Sequence, residues 1–311
     1  MEHLFIINPA AGKYDKTEEF QKTIEAVCRE RGLSYRVAVS GKPGDCARIA
    51  HEAAQTGAEL HIYACGGDGT LNEVIGGVAG FDNAAVTHFA GGSRNDFVRM
   101  FGDTEAFRDL DRLLDFEEAS FDLIECNGDY AVNICSVGLD ARIGTDIAKY
   151  KRLPGVTGSG AYILSTLVNT AKGIAEHYVV EVDGERIDAD QTMICVANGR
   201  YYGGGFNPVP EADPSDGLLD VLLVKKLNLI QVATIIGKYK QGLYRQFPNE
   251  VRHIRTNHVK ITCDKETAVN LDGELRRAKV VDMKLTGQKV RFFYPKGLQW
   301  RPQESACPAS V

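Results

Sequence analysis

No two cysteines of this chain stand at C-x-x-C spacing. The eight are scattered at positions 28, 46, 65, 126, 135, 195, 263 and 307, so neither a zinc site nor a dithiol redox motif finds support. Several fall inside apolar segments, where Cys acts as a small hydrophobe, and the reduced thiols of a cytoplasmic chain are expected. No run approaches the ~18–20 apolar residues of a membrane span. The start, Met1 to Pro9, lacks the apolar h-region and cleavage site of a signal peptide. At most a peripheral contact with a membrane is expected. Positive charge is also in deficit: 36 Lys and Arg against 42 Asp and Glu leave a net charge of −6, which disfavours nucleic acid as a partner. The seven histidines show no ligand spacing. Repeats and low-complexity segments are absent. What is present is an ordinary globular composition, 44% hydrophobic and 25% charged, and a length of 311 residues that favours two domains.

The most informative stretch is Gly66-Gly67-Asp68-Gly69-Thr70-Leu71-Asn72-Glu73. An apolar run, Leu60 to Ala64, precedes it, and a helix-like run to Val78 follows, so the order is strand, glycine turn, helix. Three glycines leave backbone N–H groups uncovered, and a helix starting near Thr70 adds its positive end to the same spot. The stretch lacks the Gly-Lys-Ser/Thr of a Walker A loop and is not G-x-G-x-x-G. It reads as a phosphate cradle of another kind.

Strand and helix alternate through the first part of the chain. Strands are expected at Leu4–Ile7, Leu33–Val39, Leu60–Ala64 and Ala85–Phe89. Helices follow them, the first with Asp15 and Glu18 at capping-box spacing, and a further helical segment carries Ala106 to Leu114. Short apolar strands of this kind suit a parallel sheet covered on both faces. The loops Asn8–Lys13, Ser40–Gly44, Gly66–Thr70 and Gly91–Asp96 would then meet at the carboxyl edge of the sheet, where ligands bind.

From about Ser120 the pattern changes to antiparallel strands. Asn127-Gly128 and Asp183-Gly184 are hairpin signals. Strands are expected at Asp122–Cys126, Tyr130–Ile134, Thr192–Ala197, Leu218–Val224, Val259–Cys263, Ala268–Leu271, Val280–Leu285 and Val290–Tyr294. Helices are expected at Ile143–Lys151, Tyr162–Ala175 and Leu229–Tyr244. The division is thus an α/β domain over 1–120, a β-rich domain over 121–295 and a C-terminal tail over 296–311.

Four stretches of this half invite chemistry, each with a plain structural alternative. Asn198 to Phe206, rich in glycine and aromatics, is a flexible loop or a wall of the cleft. Pro210 to Asp220 holds three aspartates that suit a hard cation or simply a solvated turn. Asp272-Gly273 is a hairpin turn, or places a general base at a strand tip. Lys149-Tyr150-Lys151-Arg152 is a solvated helix end or a contact for an anionic membrane.

Asn8-Pro9-x-x-Gly12, Gly66 to Thr70 with Asn72-Glu73, Gly92-Ser93-Arg94-Asn95-Asp96, Asp216-Gly217-x-Leu219-Asp220 and Asp272-Gly273-Glu274 together resemble the bacterial diacylglycerol kinase catalytic family, soluble lipid kinases related to sphingosine kinases. The resemblance runs from about residue 3 to 295. It implies that the N-terminal α/β domain, with a parallel sheet, binds a nucleotide, and it implies a C-terminal antiparallel β-sandwich and ATP in the cleft between them. By position, Asn8, Pro9, Ala10, Gly12 and Ser40 would contact ATP, as would Gly66, Gly67, Asp68, Gly69, Thr70, Asn72 and Glu73, with Ser93 and Asn95 on the fourth loop. Asp216, with the backbone of Asp213 and Leu218, would match a structural Mg²⁺ site, and a second Mg²⁺ would travel with ATP. Asp272 would be the general base, with Asp68 as the competing candidate or the organiser of the metal network. The fourth loop departs from the usual Gly-Thr-Gly-Asn-Asp: Ser93 keeps the hydroxyl, and Arg94 replaces a small residue beside the phosphates.

The implied reaction is ATP-dependent phosphorylation of a lipid hydroxyl, in phospholipid metabolism, with the lipid met at a membrane surface. An NAD kinase, which shares the Gly-Gly-Asp-Gly-Thr piece, and a non-catalytic nucleotide-binding protein are the alternatives. Exposed strand edges make a homodimer an expectation as well.

Overall fold

A computed structural model of the chain describes residues 2–92, 94–143 and 173–302. Its first part runs β1 (Glu2–Ile7), α1 (Thr17–Glu30), β2 (Tyr35–Val39), α2 (Asp45–Ala54), β3 (Leu60–Gly66), α3 (Asp68–Val78) and β4 (Ala84–Ala90). These strands pair in parallel in the order β4-β3-β1-β2. Every residue of β3 and β4 is buried, which is why both read as near-continuous apolar runs, interrupted by His61, Thr87 and His88, rather than alternating ones. Phe20, Ile24 and Cys28 form the buried stripe of α1 at helical spacing.

Two helix starts differ from expectation. Asp15 does not cap α1: its Oδ1 accepts from the Thr17 N–H at 2.8 Å, and the helix begins at Thr17 with no side-chain cap. The carboxylate closes a turn one position before the cap site. The single helix expected over 106–114 is divided into a 3₁₀ turn (Glu105–Arg108) and α4 (Leu110–Leu114). Asp109 divides them: it is extended, and its side chain takes the Asp111 and Arg112 N–H groups, a new N-cap.

The chain continues through β5 (Phe116–Cys126), β6 (Asp129–Ala131), β7 (Ile134–Gly138), β8 (Glu176–Val182), β9 (Glu185–Ala197), β10 (Leu219–Lys225), α5 (Leu229–Tyr239), β11 (Val251–Thr256), β12 (His258–Leu271) and β13 (Glu274–Pro295). All pairings among these strands are antiparallel. The hairpin turns Asn127-Gly128, Asp183-Gly184 and Asp272-Gly273 have positive φ at both residues, 52° and 94°, 50° and 78°, 50° and 96°. That is the primed turn whose twist matches the flanking strands.

β9 and β10 are buried on both faces. Ile194, Val196, Val221 and Leu223 point into the core shared with β8, β12 and β13. Met193, Cys195, Leu222 and Val224 point the other way, onto Ile235 and Tyr239 of α5. The strand expected over Tyr130–Ile134 is two elements, β6 and β7. Between them Val132 and Asn133 turn their N–H groups toward Asp272 rather than a strand.

The two strands expected at Val280–Leu285 and Val290–Tyr294 are one, β13. Its register on β5 slips between Leu285 and Lys289, where Gly287 takes φ 81°. β13 pairs with β12, then β5, and finally in parallel with β4 through Arg291 and Phe292. One strand therefore spans both halves, and Phe292, Phe293 and Tyr294 join the core of the parallel sheet. The tail expected from residue 296 begins later. Lys296 N–H bonds the Asp115 carbonyl at 2.9 Å, and Trp300, 8% exposed, sets its ring edge-on to Phe121 at 4.9 Å. The segments expected as helices at 143–151 and 162–175 fall almost wholly outside the described residues, as does the basic run at 149–152. No helix among the described residues is long and apolar enough to cross a membrane.

Candidate active site

The carbonyl of Gly66 ties two loops together. It accepts from the N–H groups of Gly91 at 2.8 Å and Gly92 at 2.9 Å, and from His88 Nε2 at 3.0 Å. Burial pushes the His88 imidazole down to about 4, so at neutral pH it is uncharged and offers one N–H. The loops touch: a Cβ on Gly92 would stand 2.8 Å from Gly67 Cα, and one on Gly91 2.6 Å from the Phe20 ring. Glycine is required there by proximity. α3 opens directly after Gly67 with no side-chain cap, so the N–H groups of its first turn are available to an anion.

Gly12, Gly67, Asp68, Gly69, Asn72 and Asp272 share the wall of one cavity of about 600 Å³, which Gly92, Arg94 and Asp96 also line. The structure therefore brings the glycine loops and the strand-tip aspartate together. Other residues expected at the nucleotide do not reach the wall. Asn8 Nδ2 donates to Thr70 Oγ1 at 3.1 Å while its Oδ1 takes the Ala10 N–H at 3.0 Å. Asn8 thus braces the first loop, through the Ala10 N–H, onto Thr70 of α3, and Pro9 lies between the bonded positions off the cavity wall. The Gly66 Cα side is closed by Thr70, whose hydroxyl a Cβ there would overlap. Ser40 is buried, with its N–H on the Ile7 carbonyl at 2.9 Å. Glu73 turns away to cap α2, accepting from Gly44 N–H at 3.1 Å and Cys46 N–H at 3.2 Å. Asn95, at φ 49°, shapes its own loop by donating to the Gly92 carbonyl at 3.0 Å. Ser93 lies outside the described residues.

The acidic residues on the wall join the two halves. Asp68 Oδ1 accepts from the Asp96 N–H at 2.6 Å. Asp96 Oδ2 accepts from the Gly204 N–H at 2.7 Å, and its Oδ1 pairs with Arg99 at 3.1 Å. Burial raises both carboxyls above the ordinary range, and in Asp96 the Asp68 charge adds to it. Asp272 sits in a nest of main-chain donors: Val132 N–H at 2.7 Å, Ile134 N–H at 2.7 Å, and Asn133 N–H shared between both oxygens at 3.1 Å. Asn72 Nδ2 is the fourth donor, at 3.3 Å. Burial outweighs these bonds and pushes the Asp272 carboxyl up to about 6.

Beyond Asp272 the cavity becomes apolar, walled by Leu139, Met193, Phe206 and Ile236. The stretch Asn198–Phe206 does form a wall, through Tyr202, Gly203 and Phe206. Asp140, not singled out from the sequence, also lines this arm. It accepts from Ala141 N–H at 2.8 Å and Tyr202 OH at 3.3 Å, and burial raises its carboxyl. The available signal was its isolation: from Ala131 to Ala141 it is the one charged residue.

The aspartate turn at 213–220 holds a different partner from the one expected. Asp213 Oδ1 takes the Ser215 N–H and hydroxyl at 2.9 and 2.8 Å. Asp216 has one oxygen on the Leu218 N–H at 2.9 Å and the other on Arg255, whose guanidinium also reaches Asp220 at 3.4 Å. Mg²⁺ seeks near-octahedral oxygen ligation. As folded, the Asp216 carboxylate is already neutralised by an arginine. Among the described residues no three His, Cys, Asp or Glu gather to hold a metal. The expected set is of another kind, one carboxylate with the main chain of Asp213 and Leu218, and as folded its Asp216 carboxylate lies on Arg255.

Comparison with known proteins agrees with this architecture. The diacylglycerol kinase catalytic domain model matches residues 2–126, and the YegS C-terminal NAD kinase beta sandwich-like domain model matches 133–293. A Staphylococcus carnosus protein named "Putative lipid kinase" is 25% identical over 94% of this chain and 96% of its own length. A Staphylococcus haemolyticus relative of the same description is 25% identical over 84% and 85%. Among solved structures, a "putative diacylglycerol kinase" from Bacillus anthracis superposes with a TM-score of 0.71 at 22% identity, covering 96% of this chain and 97% of that one. A second Bacillus anthracis diacylglycerol kinase superposes at 0.67 with 19% identity, over 96% and 98%.

Proposed function

Starting from a chain that belongs to the family built from the diacylglycerol kinase catalytic domain and the YegS C-terminal domain, we propose that it transfers the γ-phosphoryl group of ATP to a hydroxyl of an apolar lipid such as a diacylglycerol. One observation carries this: a single cavity is lined at once by the glycine loops, by Asp272 and by the apolar side chains of Leu139, Met193, Phe206 and Ile236. The polar groups of that apolar arm, Asp140, Tyr202 and Tyr239, are bonded to one another and the rest of its lining is mainly apolar, which favours a lipid over NAD.

ATP enters as its magnesium complex, with its phosphates against the Gly67–Gly69 amides at the start of α3 and against Gly12 and Gly92. Charge neutralisation and alignment are the main demands of phosphoryl transfer. Amides fixed by the Gly66 carbonyl latch meet them without reorganising. Asp68 and Asp96 hold the third and fourth loops together and position those amides. Arg94 is exposed at the rim, free to meet a phosphate oxygen.

Asp272 is the base. Of its four donors the Asn72 amide, at 3.3 Å, is the longest and comes from a residue of the cavity wall. The acceptor hydroxyl would displace that amide, hydrogen-bond to Oδ2 and give up its proton as its oxygen attacks phosphorus. The bond from the γ-phosphorus to the bridging oxygen of ADP breaks in the same step. A carboxyl near 6 is deprotonated at neutral pH yet basic enough to take part.

Incubation with labelled ATP, magnesium and a total lipid extract tests this. A labelled phospholipid is expected. Label on NAD instead, or ATP binding without ADP release in any lipid, overturns it.

A further inference from the structure

From Val221 to Asn249 the sequence contains Lys225, Lys226, Lys238, Lys240 and Arg245 and not one Asp or Glu, in a chain whose net charge is −6. At the centre of this basic stretch lies α5 (Leu229–Tyr239), with an apolar side facing outward. Leu229 is 56% exposed, Ile230 80%, Ile236 42%, and Leu243 just beyond the helix 38%. Only Ile235 and Tyr239 are fully turned into the core.

The outward face is poor in polar groups for reasons in the sequence. Thr234 gives its hydroxyl to the Ile230 carbonyl at 2.8 Å, so that donor is already satisfied. Ala233 and Gly237 add nothing polar. Gln231 is spent in the capping box with Asn228. Lys238 and Lys240 follow at the helix end, their ammonium groups 5.6 and 5.3 Å from the ring centres of Phe247 and Phe206, with no carboxylate paired to either among the described residues. An apolar helix face rimmed by cations suits the headgroup boundary of an anionic bilayer.

The same helix is a wall of the cavity. Ile236 and Tyr239 line the apolar arm, and Phe206, beneath Lys240, lines it too. The exposed patch is therefore continuous with the proposed acceptor pocket.

We propose that α5 and the cations around it form the surface by which this protein docks on an anionic membrane, so that the apolar arm opens toward the bilayer from which the acceptor is drawn. This rests on the lipid-kinase reading for its purpose, but not for its test. Docking buries Leu229, Ile230 and Leu243 among acyl chains and sets Lys238 and Lys240 at the headgroups.

Co-sedimentation of the full chain, without ATP, on vesicles of phosphatidylcholine alone and of phosphatidylcholine with phosphatidylglycerol tests the surface. Binding to the anionic vesicles is expected, weakened by salt. K238E with K240E should weaken it by about tenfold or more, and I230E should weaken it as strongly. Circular dichroism and ATP binding should stay unchanged in all variants. Wild-type protein that ignores anionic vesicles, or variants that pellet like wild type, would overturn the proposal. So would a wild-type dimer that I230E converts to monomer with no change in vesicle binding, since the face would then belong to a second copy. Vesicle binding without lipid phosphorylation would leave the surface standing and remove the kinase reading. Phosphorylation of a detergent-dispersed lipid without vesicle binding would do the reverse.

Discussion

Asn72 and Asp272 stand 200 positions apart in the chain, and Asn72 Nδ2 lies 3.3 Å from Asp272 Oδ2. The first belongs to α3, just behind the glycine cradle, and the second to the β12–β13 turn. Asn72 also holds the Tyr130 carbonyl at 3.1 Å. One amide therefore connects the glycine-loop side of the cavity to the candidate base and to the segment that supports it.

Asp272→Asn is expected to lower kcat by roughly 10²–10⁴, the usual worth of a positioned base, with the Kd for ATP nearly unchanged. Asn retains an acceptor for part of the main-chain nest but sets an NH₂ against another N–H. A thermal melt should accompany the assay to establish that the variant is folded. Near-normal turnover by a folded variant would remove Asp272 from the chemistry.

The pH dependence follows from the same carboxyl. With Asp272 pushed up from 3.8 to about 6, kcat/KM should fall as pH drops below about 6, because the base becomes protonated. Stability moves in the opposite sense. A raised carboxyl contributes stability that is fully present below pH 3.8 and is lost as pH rises through about 6. The Tm advantage of wild type over Asp272→Asn should therefore shrink between pH 4 and neutrality. An advantage that grows across that window would contradict the assigned shift.

Gly69→Asp should abolish turnover and ATP binding together. A Cβ at Gly69 would lie 3.0 Å from Glu274 Oε1, so the new carboxylate would sit beside another and against the phosphates. Isothermal titration with ATP measures the loss. Binding at wild-type strength would show that the phosphates lie elsewhere.

Two neighbouring glycines of α3 provide a packing test. A Cβ on Gly77 would overlap the Ala47 carbonyl, while one on Gly76 meets nothing within 4 Å. Gly77→Ala should cost about 1–3 kcal/mol by overpacking the α2–α3 contact. Gly76→Ala should be neutral or stabilise by up to about 1 kcal/mol through helix propensity. Urea denaturation of both variants distinguishes the cases, and equal effects would refute the close approach.

The four parallel strands were legible because each is a short, mainly apolar run followed by a glycine or polar loop, and Gly66 to Thr70 marked the glycine turn before α3 by composition. The three Asx-Gly hairpins were legible too, because only a primed turn suits that dipeptide between strands. Less visible was the direction of individual side chains. Glu73 sits in the motif, yet it caps α2 because the Gly44 and Cys46 N–H groups needed an acceptor. Asp216 bonds Arg255, from a strand folded beside it, a partner no local pattern shows.

By itself the sequence determined the local elements and the residue types of the cleft, since period, turn chemistry and glycine content act over a few residues. Tertiary structure alone decided which of those residues meet. Asp272 reaches Val132–Ile134 because β12 pairs with β7. Asp140 enters the apolar arm because Tyr202, itself beside Tyr239, bonds it. β13 joins both cores because its bulge at Gly287 redirects it onto β4. Each of these depends on contacts between positions far apart in the chain, whose pairing is set by the packing of whole sheets rather than by any local pattern.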